Sequence, residues 1–377
     1  MFRRLSFDAG QPQIKQPSRG AAPPRQRQAW GRFLPPGRPQ GKKPPRGAAP
    51  PLQRQAWGHF LPAAAAAACA AIMTVAPASS QTLEKLHMIV AGPPGGAVDV
   101  AARLAGDHLK DQGYMAIVEN FAGAGGQIAA EALRKAPADG STVLISPPGV
   151  FTIYPHIYPK LPYSASEFTG VATLAGYQFA FAVGPAAPVD TMQSFVAWAQ
   201  QHPEQASYGS PGAGTEPHFI GTEIERLTNT PLIHVPYRGG AQAINDLAGA
   251  HLPAMITALP NLVVQHNAGK IKALAMTGEQ RSAFLPDVPT MAEVGMPELT
   301  GDLFYGVYVL SGVPAAKQEA LATAFAAASA TPAYREGLKS MSLDSLTMSR
   351  AELAKTMSDM SQKWARVVER SGFSTDK

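Results

Sequence analysis

The chain has 377 residues, 45% of them hydrophobic, and a formal net charge of +5, which suffices for two or three domains with a packed core. Its pI of 9.2 does not point to nucleic acid, because 12 of the 32 Lys and Arg lie between Arg3 and Arg54, in a Pro-, Gly- and Ala-rich leader beside one acid, Asp8. Residues 79–377 hold 20 bases against 26 acids, net −6, so the basic charge forms no stripe on a folded domain.

The leader repeats itself. RGAAPPRQRQAWGRFLP at Arg19–Pro35 returns as RGAAPPLQRQAWGHFLP at Arg46–Pro62, shifted by 27 residues. Two copies this rich in Pro, Gly and Gln cannot bury a shared core, so residues 1–55 are expected to be disordered, an upstream extension from a mis-chosen start codon rather than a functional tail. Residues 56–78 read as a signal peptide: after Arg54, a small and apolar run from Leu61 to Val75 ends in Ala76-Pro77-Ala78, which suits cleavage before Ser79. Cys69, the single cysteine, falls inside that run. A lipoprotein cut at Cys69 is the lesser alternative, since it leaves Ala70–Val75 as an apolar N-terminus. The mature chain then holds no thiol for disulfides, metal sites or nucleophilic chemistry, and no later segment has the roughly 20 apolar residues that a membrane span needs. An exported, periplasmic protein is expected.

From there apolar runs alternate with helical periodicity, the pattern of an α/β fold with a parallel or mixed sheet covered by helices. Strands are expected at Leu86–Ala91, Ala116–Glu119 and Thr142–Ser146, with helices near Val98–Gln112 and Gln127–Ala136 between them. A second series follows Phe179–Val183: helix Met192–Gln200, strand Ala206–Tyr208, helix His218–Leu227, strand Leu232–Val235, helix Ala241–Leu247, and strands Ala254–Thr257 and Ala273–Met276. Leu303–Leu310 then leads to helices near Ala315–Ala328 and Ala351–Arg370. One Gly-rich strand-to-helix turn in each series suggests two lobes with a cleft between them, joined by one chain crossing or by two.

Four turns are candidates for holding a ligand. Gly92–Asp99 (GPPGGAVD) brings glycines and a helix N-terminus together, an arrangement that favours an anion, although Asp99 offsets part of the helix dipole and also suits a capping role. Gly123–Gln127 only loosely resembles a dinucleotide fingerprint, because GxGxxG would need Gly where Ile128 stands. Ser210–His218 (SPGAGTEPH) adds two hydroxyls to its backbone donors. His234–Gly240 offers Arg238, either as a carboxylate fork or as an exposed turn charge. Pairing Ser210 or Thr215 with His218 as nucleophile and base lacks the GxSxG elbow and an orienting acid, so ligand contact or capping is the better reading. The nine histidines form neither HxH nor HExxH, and no metal or cofactor is expected.

Together these segments resemble the extracytoplasmic solute-binding components of tripartite tricarboxylate transporters, the Bug or TctC-like family. The residues that carry the resemblance are GPPGGAVD, VENFAGAGGQIAAE at Val118–Glu131, APADGSTVL at Ala136–Leu144, SPGAGTEPH, HVPYRGGAQAINDLAGA at His234–Ala250, and the block Ala268–Gly295. The resemblance implies a two-lobed periplasmic-binding-protein (Venus-flytrap) fold, each lobe a mixed sheet flanked by helices, holding ligand largely through backbone groups and ordered water. Its ligand-binding positions are Pro94, Gly95, Gly96 and Asp99, supported by Ser146 and Pro148, opposite Ser210, Gly212, Gly214, Thr215 and His218, with Tyr237, Gly239 and Ala258 nearby. The chain departs from the family where Ala91-Gly92 replaces Pro-Phe, Gln127 replaces Asn, and Phe304-Tyr305-Gly306 replaces Trp-x-Gly.

These readings assign residues 79–180 plus 303–377 to lobe 1 and 181–302 to lobe 2, with hinges near Gly176–Val183 and Gly301–Leu303. The expected function is a non-enzymatic, monomeric receptor that captures a small carboxylate solute and delivers it to the permease subunits of a tripartite transporter. The alternatives are an orphan receptor that reports to a membrane sensor and, less favoured, a Ser/Thr-His hydrolase.

Overall fold

The computed structural model describes residues 83–373; the repeated leader, the signal segment, Cys69 and the last four residues lie outside them. The chain enters at β1 (Glu84–Val90), then runs through α1 (Ala97–Leu109), β2 (Tyr114–Asn120), α2 (Gln127–Arg134), β3 (Thr142–Ser146), the one-turn helices α3 (Gly149–Thr152) and α4 (Tyr154–Ile157), and β4 (Phe168–Tyr177). The second series is β5 (Phe179–Val183), α5 (Met192–Gln201), β6 (Ser207–Ser210), α6 (Glu216–Thr228), β7 (Ile233–Pro236), α7 (Gly240–Ala248), β8 (Ala254–Ala258), α8 (Leu259–Asn267) and β9 (Lys272–Met276). The chain closes with β10 (Leu303–Leu310), α9 (Ala315–Ser329), α10 (Pro332–Ser340), β11 (Asp344–Ser345) and α11 (Arg350–Ser371).

The strands form two separate mixed sheets. The first has the order β11-β4-β10-β3-β1-β2 and the second β7-β6-β8-β5-β9. β1 runs parallel to both β2 and β3, and β10 antiparallel to β3 and β4. In the second sheet β6 is parallel to β7 and β8, while β5 is antiparallel to β8 and β9. β3 is buried at every position, as expected of a central strand covered on both faces.

The chain passes from the first sheet to the second between Tyr177 and Phe179 and returns before Leu303. Thr277 ties the two passages together: its Oγ1 accepts from the Phe179 N–H at 3.0 Å, and its carbonyl accepts from the Gly301 N–H at 2.7 Å. Buried Gln178 donates from Nε2 to the Gln280 carbonyl at 3.2 Å. α11 reaches elements of both sheets. It starts from a Ser349/Glu352 capping box, packs Leu353 against Gly170 of β4, sets Trp364 6.2 Å from Phe219 of α6, and donates from Arg370 to Glu223 at 3.0 Å.

Several elements lie outside the sequence reading. β4, the longest strand, carries Gly170, Thr173 and Gly176 and gives no clean alternation, because it is buried from Val171 to Tyr177. α10 is polar on most of its surface and depends on a cap in which Thr331 Oγ1 accepts from the Tyr334 N–H at 3.2 Å. α8 begins with Leu259-Pro260 directly after β8, so no loop punctuates the change from strand to helix.

Candidate functional site

The first-sheet turn is held by Asp99. Its Oδ2 accepts from the Gly95 N–H at 2.8 Å and from Arg103 Nε at 3.0 Å, and its Oδ1 accepts from Asn120 Nδ2 at 2.9 Å. The same Asn120 amide donates to the Gly92 carbonyl at 3.0 Å, and Arg103 donates to Asn120 Oδ1 at 3.0 Å. Burial works to raise the Asp99 pKa, but the hydrogen bonds from Arg103, Gly95 and Asn120 prevail and hold it below the usual carboxylate value. Asp99 is 2% exposed, so it acts by fixing the loop that carries Pro94 and Gly95, both exposed. Gly95 has φ +78°, a conformation that favours glycine. Beyond it, α1 starts at Ala97 with first-turn N–H groups that the helix itself cannot pair.

Ser146 ends β3, the strand that pairs with β1, and Pro148 follows two residues later; both are buried. Ser146 Oγ donates to the Pro147 carbonyl at 3.0 Å, and the Pro148 carbonyl accepts from Phe151 and Thr152 at 2.9 and 3.0 Å. The Gly123–Gly126 turn is pinned by Tyr154, whose hydroxyl donates to the Gly125 carbonyl at 3.0 Å.

On the second sheet, Ser210, Gly212, Gly214, Thr215 and His218 form one hydrogen-bonded turn. Thr215 Oγ1 donates to the Gly212 carbonyl at 2.7 Å, and the Gly214 N–H donates to His218 Nδ1 at 3.1 Å. His218 stacks on His234 with ring centroids 4.0 Å apart. Burial lowers the His218 pKa to about 4, and burial followed by the neighbouring His218 lowers that of His234 to about 3, so both imidazoles are neutral at pH 7. Tyr237 and Gly239 join this turn through their N–H groups, which donate to the Ser210 and Pro211 carbonyls at 2.9 and 3.2 Å. The Tyr237 hydroxyl donates to Asp246 Oδ2 at 3.0 Å. Ala258 is partly exposed at the end of β8, paired with Phe179, and Arg238 is exposed.

The serine meets a different histidine from the one sequence spacing offers. Ser210 Oγ lies 2.8 Å from His234 Nε2, while its hydroxyl donates to the Gly212 carbonyl at 2.9 Å. The single hydroxyl hydrogen has two acceptors in reach, the Gly212 carbonyl and His234 Nε2, so activation of Ser210 by His234 competes with the bond inside the turn. His218 is taken by the Gly214 amide and Thr215 by the Gly212 carbonyl, so neither of the pairings with His218 is formed. Among the described residues, no group of three or more His, Cys, Asp or Glu side chains could hold a metal ion.

Glu216 links the two sets of turns, and sequence reasoning passed over it because an acid in the first turn of a helix reads as a dipole partner. It starts α6 on the second sheet, yet its carboxylate lies against Gly149 of the first: a Cβ placed on Gly149 would fall 2.4 Å from Glu216 Oε1. Gly214 packs nearby, where an added Cβ would lie 2.6 Å from Ile157. Burial raises the Glu216 pKa to about 7, with the N–H groups of Glu216 and Gly149 working in the other direction.

Two helix-covered mixed sheets, joined by two tied passages and in contact where the start of α3 meets the start of α6, define a two-lobed solute-binding receptor. The chain belongs to the tripartite tricarboxylate transporter receptor family, whose model, described as "Tripartite tricarboxylate transporter family receptor", matches residues 100–373. Similar proteins include BugT of Bordetella pertussis, 29% identical over 315 residues that cover 79% of this chain and 93% of BugT. A UPF0065 protein from the tcbD-tcbE intergenic region of Pseudomonas sp. strain P51 is 30% identical over 283 residues, covering 74% of this chain and 84% of that protein. Among solved structures, the periplasmic binding protein BugD superposes with a TM-score of 0.69 at 26% identity, and R. palustris Rpa4515 with adipate with 0.71 at 27% identity; each covers 77% of this chain and 98% of the other.

Proposed function

We propose that the protein captures a small carboxylate-bearing solute between its lobes and delivers it to the membrane subunits of a tripartite tricarboxylate-type transporter, without chemistry on the solute. The observation that carries this is the pair of turns at Gly92–Gly96 and Ser210–Thr215, each leading from a strand into a 13-residue helix. Such turns present peptide N–H groups and a positive helix end, which suit an anion without Lys or Arg. Family membership supports the transport role, and the adipate in the R. palustris relative supports the solute class. His218 engaged by the Gly214 amide and Thr215 turned to the Gly212 carbonyl support binding over hydrolysis by these residues.

In this reading the ligand-binding residues are those named from the sequence, from Pro94 to Ala258, with Asp99 acting by holding the first turn and Ser146 by its bond to the Pro147 carbonyl. Lobe 1 is 79–180 plus 303–377 and lobe 2 is 181–302, and closure pivots where Thr277 ties the two passages. The mature receptor works as a periplasmic monomer after cleavage before Ser79.

The test is a thermal-shift and calorimetric screen of the purified protein against di- and tricarboxylates, amino acids and aromatic acids. A ligand at 100 times its Kd stabilises the folded state by about 2.7 kcal/mol, a rise in Tm of roughly 5 °C for a chain of this size. Silence from every acid at millimolar concentration would refute the proposal.

A further inference from the structure

Glu216 stands at the end of the proposed ligand turn, between Thr215 and His218, and spans to Gly149, the first residue of α3 on the other lobe. Its residue exposure is 6%, and Oε1 is buried with no hydrogen-bond partner among the described residues, the nearby N–H groups of Glu216 and Gly149 falling short of hydrogen-bond geometry to it. A buried carboxylate oxygen without a donor is a standing deficit that a ligand can relieve. A carboxylate only accepts hydrogen bonds, so the relieving group must carry N–H or O–H. A second carboxylate placed there meets the like charge of a buried carboxylate.

We propose that Glu216 is a specificity-determining residue, selecting a solute that bears one carboxylate for the turn amides and a hydroxyl or ammonium donor for Oε1, and disfavouring a plain diacid. This deepens the carboxylate-capture reading and rests on it. The opposed lobe leaves Glu216 little freedom to swing away, because its carboxylate already fills the space beside the Gly149 Cα, where a side chain would stand. Its burial also raises its pKa, as expected of a carboxylate that lacks its full set of donors.

The experiment is calorimetric titration at pH 8 of wild type and Glu216→Gln with two matched series: succinate, 4-hydroxybutyrate and 4-aminobutyrate, then adipate, 6-hydroxyhexanoate and 6-aminohexanoate. In at least one series the hydroxy or amino acid should bind wild type at least tenfold more tightly than the diacid. The ratio should fall below threefold in the variant, mainly because the diacid binds better. Gln keeps the shape of Glu; should that variant not fold, Glu216→Ala is read in the same way. Equal or tighter binding of the diacid by wild type, or a ratio unchanged in the variant, overturns the role of Glu216 while leaving the carboxylate reading intact. Binding of none of the six acids by either protein overturns the selection by Glu216, and the carboxylate reading falls with it only when the wider acid screen is silent as well.

Discussion

Gly221 in the middle of α6 offers a test in which two well-known effects oppose one another. By helix propensity alone, Gly221→Ala should stabilise the helix by about 1 kcal/mol. The structure reverses the sign: a Cβ at Gly221 would lie 2.1 Å from Tyr208 Cζ and 2.5 Å from its hydroxyl. Ordinary contact begins near 3.4 Å, so the ring must withdraw by about 1.3 Å. Tyr208 is 1% exposed, donates its hydroxyl to the His218 carbonyl at 2.8 Å, and packs 5.0 Å from His234. Overpacking costs about 1–3 kcal/mol, and parting the buried hydroxyl from its carbonyl about 1–3 more. After the propensity gain, a net loss of roughly 1–5 kcal/mol follows, measurable as a lower midpoint in urea denaturation and a fall in Tm of several degrees. Since Tyr208 supports the carbonyl of His218, solute affinity should fall as well. A variant as stable as wild type would show that α6 has room the packing denies, and the argument would fail.

Other perturbations follow from the charges of the site. His218 and His234 titrate near 4 and 3 in the folded protein against 6.5 in an unfolded chain, so the folded state binds fewer protons and loses stability as pH falls from about 6.5 toward 3. In His218→Asn that acid-side slope should flatten in denaturation curves taken between pH 7 and 4. Glu216 has the opposite sign: its folded pKa of about 7 against 4.5 means a penalty absent below pH 4.5 and complete above 7, about 3 kcal/mol for about 2.5 pKa units. Glu216→Gln should therefore be more stable than wild type at pH 8 and nearly equal at pH 4.5, whereas a gap independent of pH would refute the assignment. Asp99→Asn breaks the hydrogen bonds that hold the Gly92–Gly96 turn and should cost about 1.5–3 kcal/mol. Faster hydrogen exchange at the Gly95 amide is the direct readout.

The alternation of elements in each lobe was legible because its strands and helices are punctuated by Gly-rich turns, and the strand Thr142–Ser146 was read to the residue. β4 was not, since burial from Val171 onward removes the polar face that would mark a strand. The turns were found from their glycines, but the side chains that arrange them were not. Arg103 and Asn120 lie 4 and 21 residues from Asp99, and only the parallel register of β1 with β2, which sets Asn120 beside Val90, brings Asn120 to it. His234 likewise becomes the partner of Ser210 only through the pairing of β6 with β7.

Turns that hold an anion through peptide N–H groups act only at close range, because a peptide dipole falls away faster than a full charge. Residues 79–377 meanwhile carry a net charge of −6, so in the cleaved form proposed above an arriving anion meets weak repulsion until it enters the cleft. Added salt screens that repulsion within about 10 Å at 0.1 M while leaving the short N–H contacts nearly untouched. Capture should therefore quicken with ionic strength while release stays constant, the reverse of a receptor that draws in its solute with arginines.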